Sequence, residues 1–245
     1  MWEWALTSID STRPHSVGFE VSWHGRVMVF AWCLLVPIGI FAARFFKITP
    51  RQDWPRRLDN QVWWATHLTA QYTAGFLMVI AVYLIWNVSG THVQVFYHHL
   101  LGWTTISLCG VQYLAGWLRG TKGGPTDLRA DGTPHGDHYD MTSRRKLFEY
   151  VHKFTGYVCL TAAIAAVFTG LWVANAPHWM WISLTIWWVA VIYLFLKCER
   201  IFGAVDTYQA IWGPNPDLPG NKMRPIGLGI KRASDCEGDT GLRKE

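Results

Sequence analysis

Charged residues are scarce in this sequence. Only 16% of its 245 residues are Asp, Glu, Lys or Arg, whereas 51% are hydrophobic. A soluble domain usually carries about 25% charged residues, so the shortage argues against an ordinary soluble domain. The mean hydropathy is nevertheless only +0.11, because the stretch after residue 202 is polar.

The apolar residues are concentrated in five segments. Each is long enough to cross a hydrocarbon layer of roughly 30 Å, which takes about 20 helical residues. The predicted limits are 22–45, 61–86, 97–118, 148–173 and 178–202. We therefore predict an all-α integral membrane protein with five transmembrane helices.

The flanks of these five segments differ in character. Residues 1–21 form a short outside segment, and residues 203–245 form a polar tail that is rich in Pro and Gly and is predicted to be extended. The first apolar run has no small-residue cleavage site, so it is predicted to act as an uncleaved signal anchor.

Positive charge is absent from some loops and abundant in others. Loops 87–96 and 174–177 contain no Lys or Arg, whereas stretch 44–57, loop 119–147 and the tail contain many. Basic loops remain on the cytoplasmic side of a membrane. We therefore predict an outside N-terminus and a cytoplasmic C-terminus, in a bacterial inner membrane. The net charge of +5 reflects this topology and predicts no nucleic-acid partner.

Four predicted spans each begin near a histidine. These histidines are His24, His67, His98 and His152. Ionisable residues are costly inside a membrane, so each is a functional candidate. Alternate helices run in the same direction, which places His24 and His98 at one depth on the outer side and His67 and His152 at another on the cytoplasmic side. Two imidazoles facing each other across a helix bundle can bind a haem iron, so the sequence predicts two such sites.

Two glycines support haem over other metal centres. Gly102 and Gly156 follow His98 and His152 by one turn, within a weak repeat displaced by 54 residues. The missing side chain would let a flat macrocycle lie against the helix backbone. A zinc site would use four compact ligands, commonly with Cys or carboxylate among them, and the absence of a C-x-x-C-H motif excludes covalent c-type haem. The glycine spacing also favours His98 over its neighbour His99.

Several alternatives stay open. The four histidines could instead be core residues that hydrogen-bond neighbouring helices. Arg26 and Lys153 lie near the predicted outer and inner pairs, where they could bind haem propionates or an anionic reductant, or instead contact lipid headgroups. His135 and His138 could bind a metal with nearby aspartates, although a solvated loop is the preferred interpretation.

Four motifs carry a resemblance to a known family. They are W-H-G-R-V-M-V-F-A-W-C-L-L-V-P-I-G, H-L-T-A-Q-Y-T-A-G, H-H-L-L-G-W followed by Q-Y-L-A-G, and E-Y-V-H-K-F-T-G-Y. In order and spacing they resemble the core helices of the cytochrome b561 family, in particular the branch found in DOMON-linked ferric reductases. The resemblance covers roughly residues 20–173. It implies a four-helix bundle, formed by the first four spans, that holds two haem b groups and transfers electrons across the membrane, with His24, His67, His98 and His152 as axial ligands.

The chain departs from the family pattern in ways that leave its partners open. We expect no DOMON domain before the core, five helices rather than six, and an unusually long loop at 119–147, so ascorbate use is not implied. The donor or acceptor could be a quinol, an ascorbate-like reductant or a redox protein, and the protein could reduce ferric iron itself or only relay electrons. No catalytic residue is assigned, and a homodimer or larger complex stays open.

The alternative function is a haem-bearing accessory subunit of a respiratory or photosynthetic membrane complex. A haem-free histidine-lined transporter is the third hypothesis.

Overall fold

Five long helices dominate the computed structural model, which describes residues 2–88, 93–124 and 127–232. They are α1 Phe19–Phe45, α2 Gln61–Ile85, α3 Val93–Trp117, α4 Ser143–Val173 and α5 His178–Ile201. A short helix, Trp2–Leu6, precedes them. After them come strand β1 Ala204–Val205, helix α6 Thr207–Trp212, a 3-10 turn Pro219–Lys222 and strand β2 Ile230–Lys231. Apart from one two-stranded parallel pair, the described part of the chain is all-α, as predicted.

Four of the long helices are apolar and long enough to cross a membrane, namely α1, α2, α4 and α5. This confirms the prediction of an integral membrane protein. Helix α3 has 25 residues, which is also sufficient length, but polar residues such as His98, His99 and Gln112 lower its hydropathy. The fifth span therefore stays a prediction.

Large apolar side chains cover the outer surfaces of these helices. Phe76 and Tyr83 of α2, and Ile186 and Val189 of α5, are each more than 60% exposed. In water such a surface would be an aggregation liability. Facing lipid tails, it is the expected surface of a membrane helix.

Helix α1 is interrupted by a π-helical segment, Phe30–Leu35. Pro37 follows it, and a proline has no N–H to bond the carbonyl four residues earlier, which belongs to Cys33. The indole Nε1 of Trp187, on α5, donates a 2.8 Å hydrogen bond to that Cys33 oxygen. A backbone group that would be unsatisfied in hydrocarbon is thus satisfied by a neighbouring helix.

The chain forms two compact units. Among the described residues, unit 1 comprises those within 2–39, 68–109 and 157–196, and unit 2 comprises those within 40–67, 110–156 and 197–232. The buried residues of unit 1 are mostly small, for example Ala31, Ala81 and Ala163. Small side chains let helix backbones approach closely, which is how helices pack in membranes.

Unit 2 contains the tail, which is not extended over its described part, residues 203–232. The Tyr208 hydroxyl donates a 2.9 Å hydrogen bond to the Tyr139 carbonyl, and Gly220 lies against the Tyr208 ring where any side chain would collide. Tyr208, Met141 and Ile226 form a buried apolar cluster. The prediction of an extended tail is wrong here, because the aromatic side chains of the tail pack against the loop before α4. Residues 233–245 lie outside the described part.

Candidate functional site

The first predicted histidine pair lies within unit 1. The ring centroids of His24, on α1, and His98, on α3, are 6.1 Å apart at an interplanar angle of 87°. His24 Nδ1 is 2.9 Å from the carbonyl oxygen of Ala81 on α2, and His98 Nδ1 is 3.0 Å from that of Ala166 on α4.

These two hydrogen bonds set the chemistry of the imidazoles. A carbonyl oxygen only accepts hydrogen bonds, so the hydrogen lies on Nδ1 and each neutral ring keeps its lone pair on Nε2. Histidines that bind metals usually show this arrangement, in which the second nitrogen donates to a carbonyl or carboxylate. The Nε2 atoms of His24 and His98 are therefore both available as metal ligands.

The second predicted pair lies within unit 2. The ring centroids of His67, on α2, and His152, on α4, are 6.2 Å apart at an angle of 77°. The ring centroids of Phe148 and His152 are 5.1 Å apart, and those of Trp64 and His67 are 6.4 Å apart. His152 Nδ1 is buried, and the Gln112 backbone interacts with the His152 ring. The structure thus brings together both pairs that helix direction predicted.

The predicted glycines differ in their surroundings. A Cβ built on Gly102 would meet no described atom within 4 Å, whereas one on Gly156 would lie 3.5 Å from the Gln112 side chain. Gly170 is closer to the site than either: its Cβ would lie 3.1 Å from His98 Cε1. Gly170 was not among the predicted site residues, although the 54-residue repeat that relates the two histidine helices maps Gly116 onto it.

The two predicted cations have different environments. Arg26 is exposed, with its guanidinium 5.3 Å from the Trp23 ring centre. The Lys153 ammonium donates to Glu149 Oε2 at 2.5 Å and to the Ile226 carbonyl at 2.7 Å. Lys153 is therefore engaged within the protein.

Glu149 was missed by the sequence analysis. Its carboxylate is 3% exposed and accepts hydrogen bonds from Lys153 and, at 3.0 and 3.1 Å, from the Arg145 guanidinium. The signal was present in the chain, because Arg145, Glu149 and Lys153 follow one another at the i, i+4 spacing that aligns side chains on a helix. What the spacing does not reveal is that this helix face is buried.

The loop histidines do not form a metal centre. In residues 2–88, 93–124 and 127–232, no three His, Cys, Asp or Glu side chains are grouped to hold a metal ion. His138 is also not solvated: it is 2% exposed, with ring centroids 5.7 Å from Tyr208 and 6.0 Å from Trp212. Burial, with the Arg145 charge nearby, lowers the pKa of His138 to about 3, so it is a neutral core residue at physiological pH.

Apolar helices that bring histidines together in two pairs define an integral membrane protein with candidate metal-ligating sites. A family model described as eukaryotic cytochrome b561 matches residues 23–176. The chain belongs to the cytochrome b561 family. The resemblance noted from the four motifs is confirmed, and membership of this family implies haem b and electron transfer across a membrane.

The related proteins are longer than this chain. An Arabidopsis thaliana cytochrome b561, DM13 and DOMON domain-containing protein is 27% identical over 154 residues, 60% of this chain and 14% of the relative. Ferric-chelate reductase 1 of Bos taurus is 28% identical over 151 residues, 60% of this chain and 22% of the relative. Ferric-chelate reductase 1 of Mus musculus is 28% identical over 166 residues, which are 64% of this chain and 24% of the relative. The chain thus spans less than a quarter of each of these relatives, and no solved structure matches it.

Proposed function

We propose that this chain carries electrons across the membrane through two haem b groups, one near each membrane face. His24 and His98 are the axial ligands of one iron, and His67 and His152 are those of the other. The observation that carries the proposal is the separation of the paired rings. A metal–imidazole bond is about 2 Å long and the ring centre lies about 1 Å further back, so two rings that share one metal have centres roughly 6 Å apart. The pairs measure 6.1 and 6.2 Å.

The residues around the first pair support ligation. The Ala81 and Ala166 carbonyls orient the two rings and, by accepting the Nδ1 hydrogens, increase the basicity of the Nε2 atoms. When bound, haem supplies a one-electron iron couple whose potential depends on its ligands and on burial. Because two histidines would hold each haem, the group would supply electron transfer rather than an open position for a substrate.

The topology is part of the proposal. Helix α3 is the fifth span, the N-terminus lies outside, and the C-terminus is cytoplasmic, as the distribution of Lys and Arg among the loops predicts. The pair of unit 2 then lies on the cytoplasmic side. Location in a bacterial inner membrane stays a prediction, since the relatives named above are eukaryotic.

Pyridine haemochrome analysis of the purified, fully loaded chain tests the haem count. We expect two haem b per chain; a value of one or none would contradict the proposal. Single alanine variants then test the pairing. We expect His67→Ala and His152→Ala to convert the same spectral component to a high-spin form, and His24→Ala and His98→Ala to convert the other.

His99→Ala is the matched control, because His99 is the exposed neighbour of His98. It should leave both components low-spin. The pairing is refuted if His24→Ala and His67→Ala alter the same component, and the choice of His98 is refuted if only His99→Ala converts a haem.

A ferric chelate is the electron acceptor that the named relatives favour. In stopped-flow experiments, the dithionite-reduced protein should be reoxidised by a ferric chelate in a saturable manner. Reoxidation no faster than that of haem in detergent would point to relay to another redox protein.

A further inference from the structure

Unit 2 buries a group of charged residues that haem ligation does not use. Lys47, which follows α1, is 5% exposed, and Asp206, which precedes α6, is 8% exposed. The Lys47 ammonium donates a 2.8 Å hydrogen bond to the Val205 carbonyl. Burying a charged group is costly unless the surrounding charges compensate it or the group becomes neutral.

The charges that face Lys47 are of both signs. They come from Lys153 and Arg44, which are cationic, and from Asp206 and Glu149, which are acidic. Both cations already have carboxylate partners, Glu149 for Lys153 and Glu199 for Arg44. Burial, followed by repulsion from Lys153, lowers the pKa of Lys47 to about 7. The amine and the ammonium of Lys47 are therefore close in free energy at neutral pH.

Lys153 connects this group with the iron site proposed for unit 2, because its charge acts on both Lys47 and His152. Lys153 follows His152 directly in α4, and Glu149 lies one turn before it. An electron arriving at this site adds one negative charge to surroundings that interact with Lys47. For two charges on the order of 10 Å apart in an effective dielectric constant of about 20, the attraction strengthens proton binding about tenfold.

We propose that Lys47 couples proton uptake to reduction of the haem held by His67 and His152. The inference rests on the proposed function. When one electron reduces that iron from the ferric to the ferrous state, the Lys47 amine takes one proton from the adjacent aqueous phase and becomes an ammonium. When the electron leaves, Lys47 returns the proton. One negative and one positive charge thus enter unit 2 together, which avoids an uncompensated buried charge.

Redox titration of the purified, haem-loaded protein between pH 6 and 9 tests this coupling. In the wild type, the midpoint potential of one haem should fall by about 59 mV in total as the pH rises through roughly 7 to 8, which is the tenfold change expressed for a one-electron couple. Below that window Lys47 is protonated in both redox states, and above it Lys47 is neutral in both.

Two variants of Lys47 test whether the change in its protonation causes the pH dependence, because one replacement is always neutral and the other always charged. Lys47→Met should give a potential that does not change over this window and equals the alkaline value of the wild type. Lys47→Arg, which stays charged, should give a constant potential near the acidic value of the wild type. Lys197→Met is the matched control, because Lys197 is an exposed lysine of unit 2, and it should keep the wild-type slope.

A pH-indicator dye gives a second readout. Chemical reduction at pH 7.5 should remove protons from weakly buffered solvent in the wild type and Lys197→Met, but not in Lys47→Met or Lys47→Arg. The inference is overturned if the wild-type potential is flat between pH 7 and 8, or if the Lys47 variants keep its slope and its proton uptake. If the wild type lacks a low-spin haem spectrum, the proposed function fails instead.

Discussion

Gly170 lets the His98 ring occupy its observed position, and replacing it should damage only one haem site. A Cβ at this position would lie 3.1 Å from His98 Cε1 and 3.4 Å from Nδ1. The first distance is shorter than ordinary carbon contacts of about 3.5–4.0 Å, so the ring would have to move by a few tenths of an ångström. The same ring is held by the 3.0 Å hydrogen bond from Nδ1 to Ala166, which such a movement would strain.

The expected change in the free energy of unfolding follows from comparison with a helix glycine that has no close neighbours. Replacing Gly by Ala inside a helix normally stabilises it by about 0.5–1 kcal/mol. Gly110 of α3 is exposed and its Cβ would meet no described atom within 4 Å, so Gly110→Ala should show that gain. Gly170→Ala should show none, because the contact with His98 offsets it. Gly170→Leu overpacks the site and should cost about 1–3 kcal/mol.

The assay combines unfolding in detergent, followed by tryptophan fluorescence, with optical and electron paramagnetic resonance spectra of the purified variants. In Gly170→Leu, the component lost in His98→Ala should become high-spin or disappear, while the component assigned to His67 and His152 stays low-spin. Gly110→Leu should keep both. Two low-spin haems at unchanged potentials in Gly170→Leu would contradict this role of Gly170.

Three further predictions concern topology and the charges of unit 2. Alkaline phosphatase fused after Glu245 should be inactive in a bacterial host, and high activity would show either an even number of spans or the reverse orientation. Glu149→Leu should lower the free energy of unfolding by about 3–5 kcal/mol, because it leaves two buried or half-buried cations without their carboxylate; a loss below 1 kcal/mol in urea titrations would contradict this. His138 has a folded-state pKa of about 3, below its ordinary value of 6.5, so the unfolded chain binds more protons between these values and stability should rise with pH there. His138→Phe should flatten that rise in unfolding measured from pH 4 to 7, whereas an unchanged slope would rule out His138 as its source.

Much of the candidate site could be predicted because membrane helices follow simple rules. Apolar runs of about 20 residues mark the helices, and consecutive spans must run in opposite directions. That alternation predicted that His24 would lie close to His98, and His67 close to His152. In the structure the ring centroids within the two pairs are 6.1 and 6.2 Å apart.

Local hydropathy and chain direction were sufficient to predict the helices, their order and which histidines lie close together. Four features emerge only from the fold: the carbonyls that orient the rings, the contact of Gly170 with His98, the folded tail, and the burial of Lys47 and Glu149. These features arise where residues distant in the chain meet. A lysine or glutamate at a helix end has the same local pattern whether its side chain faces water or the packed tail, so its burial, and the chemistry that follows from burial, is fixed only when the chain has folded.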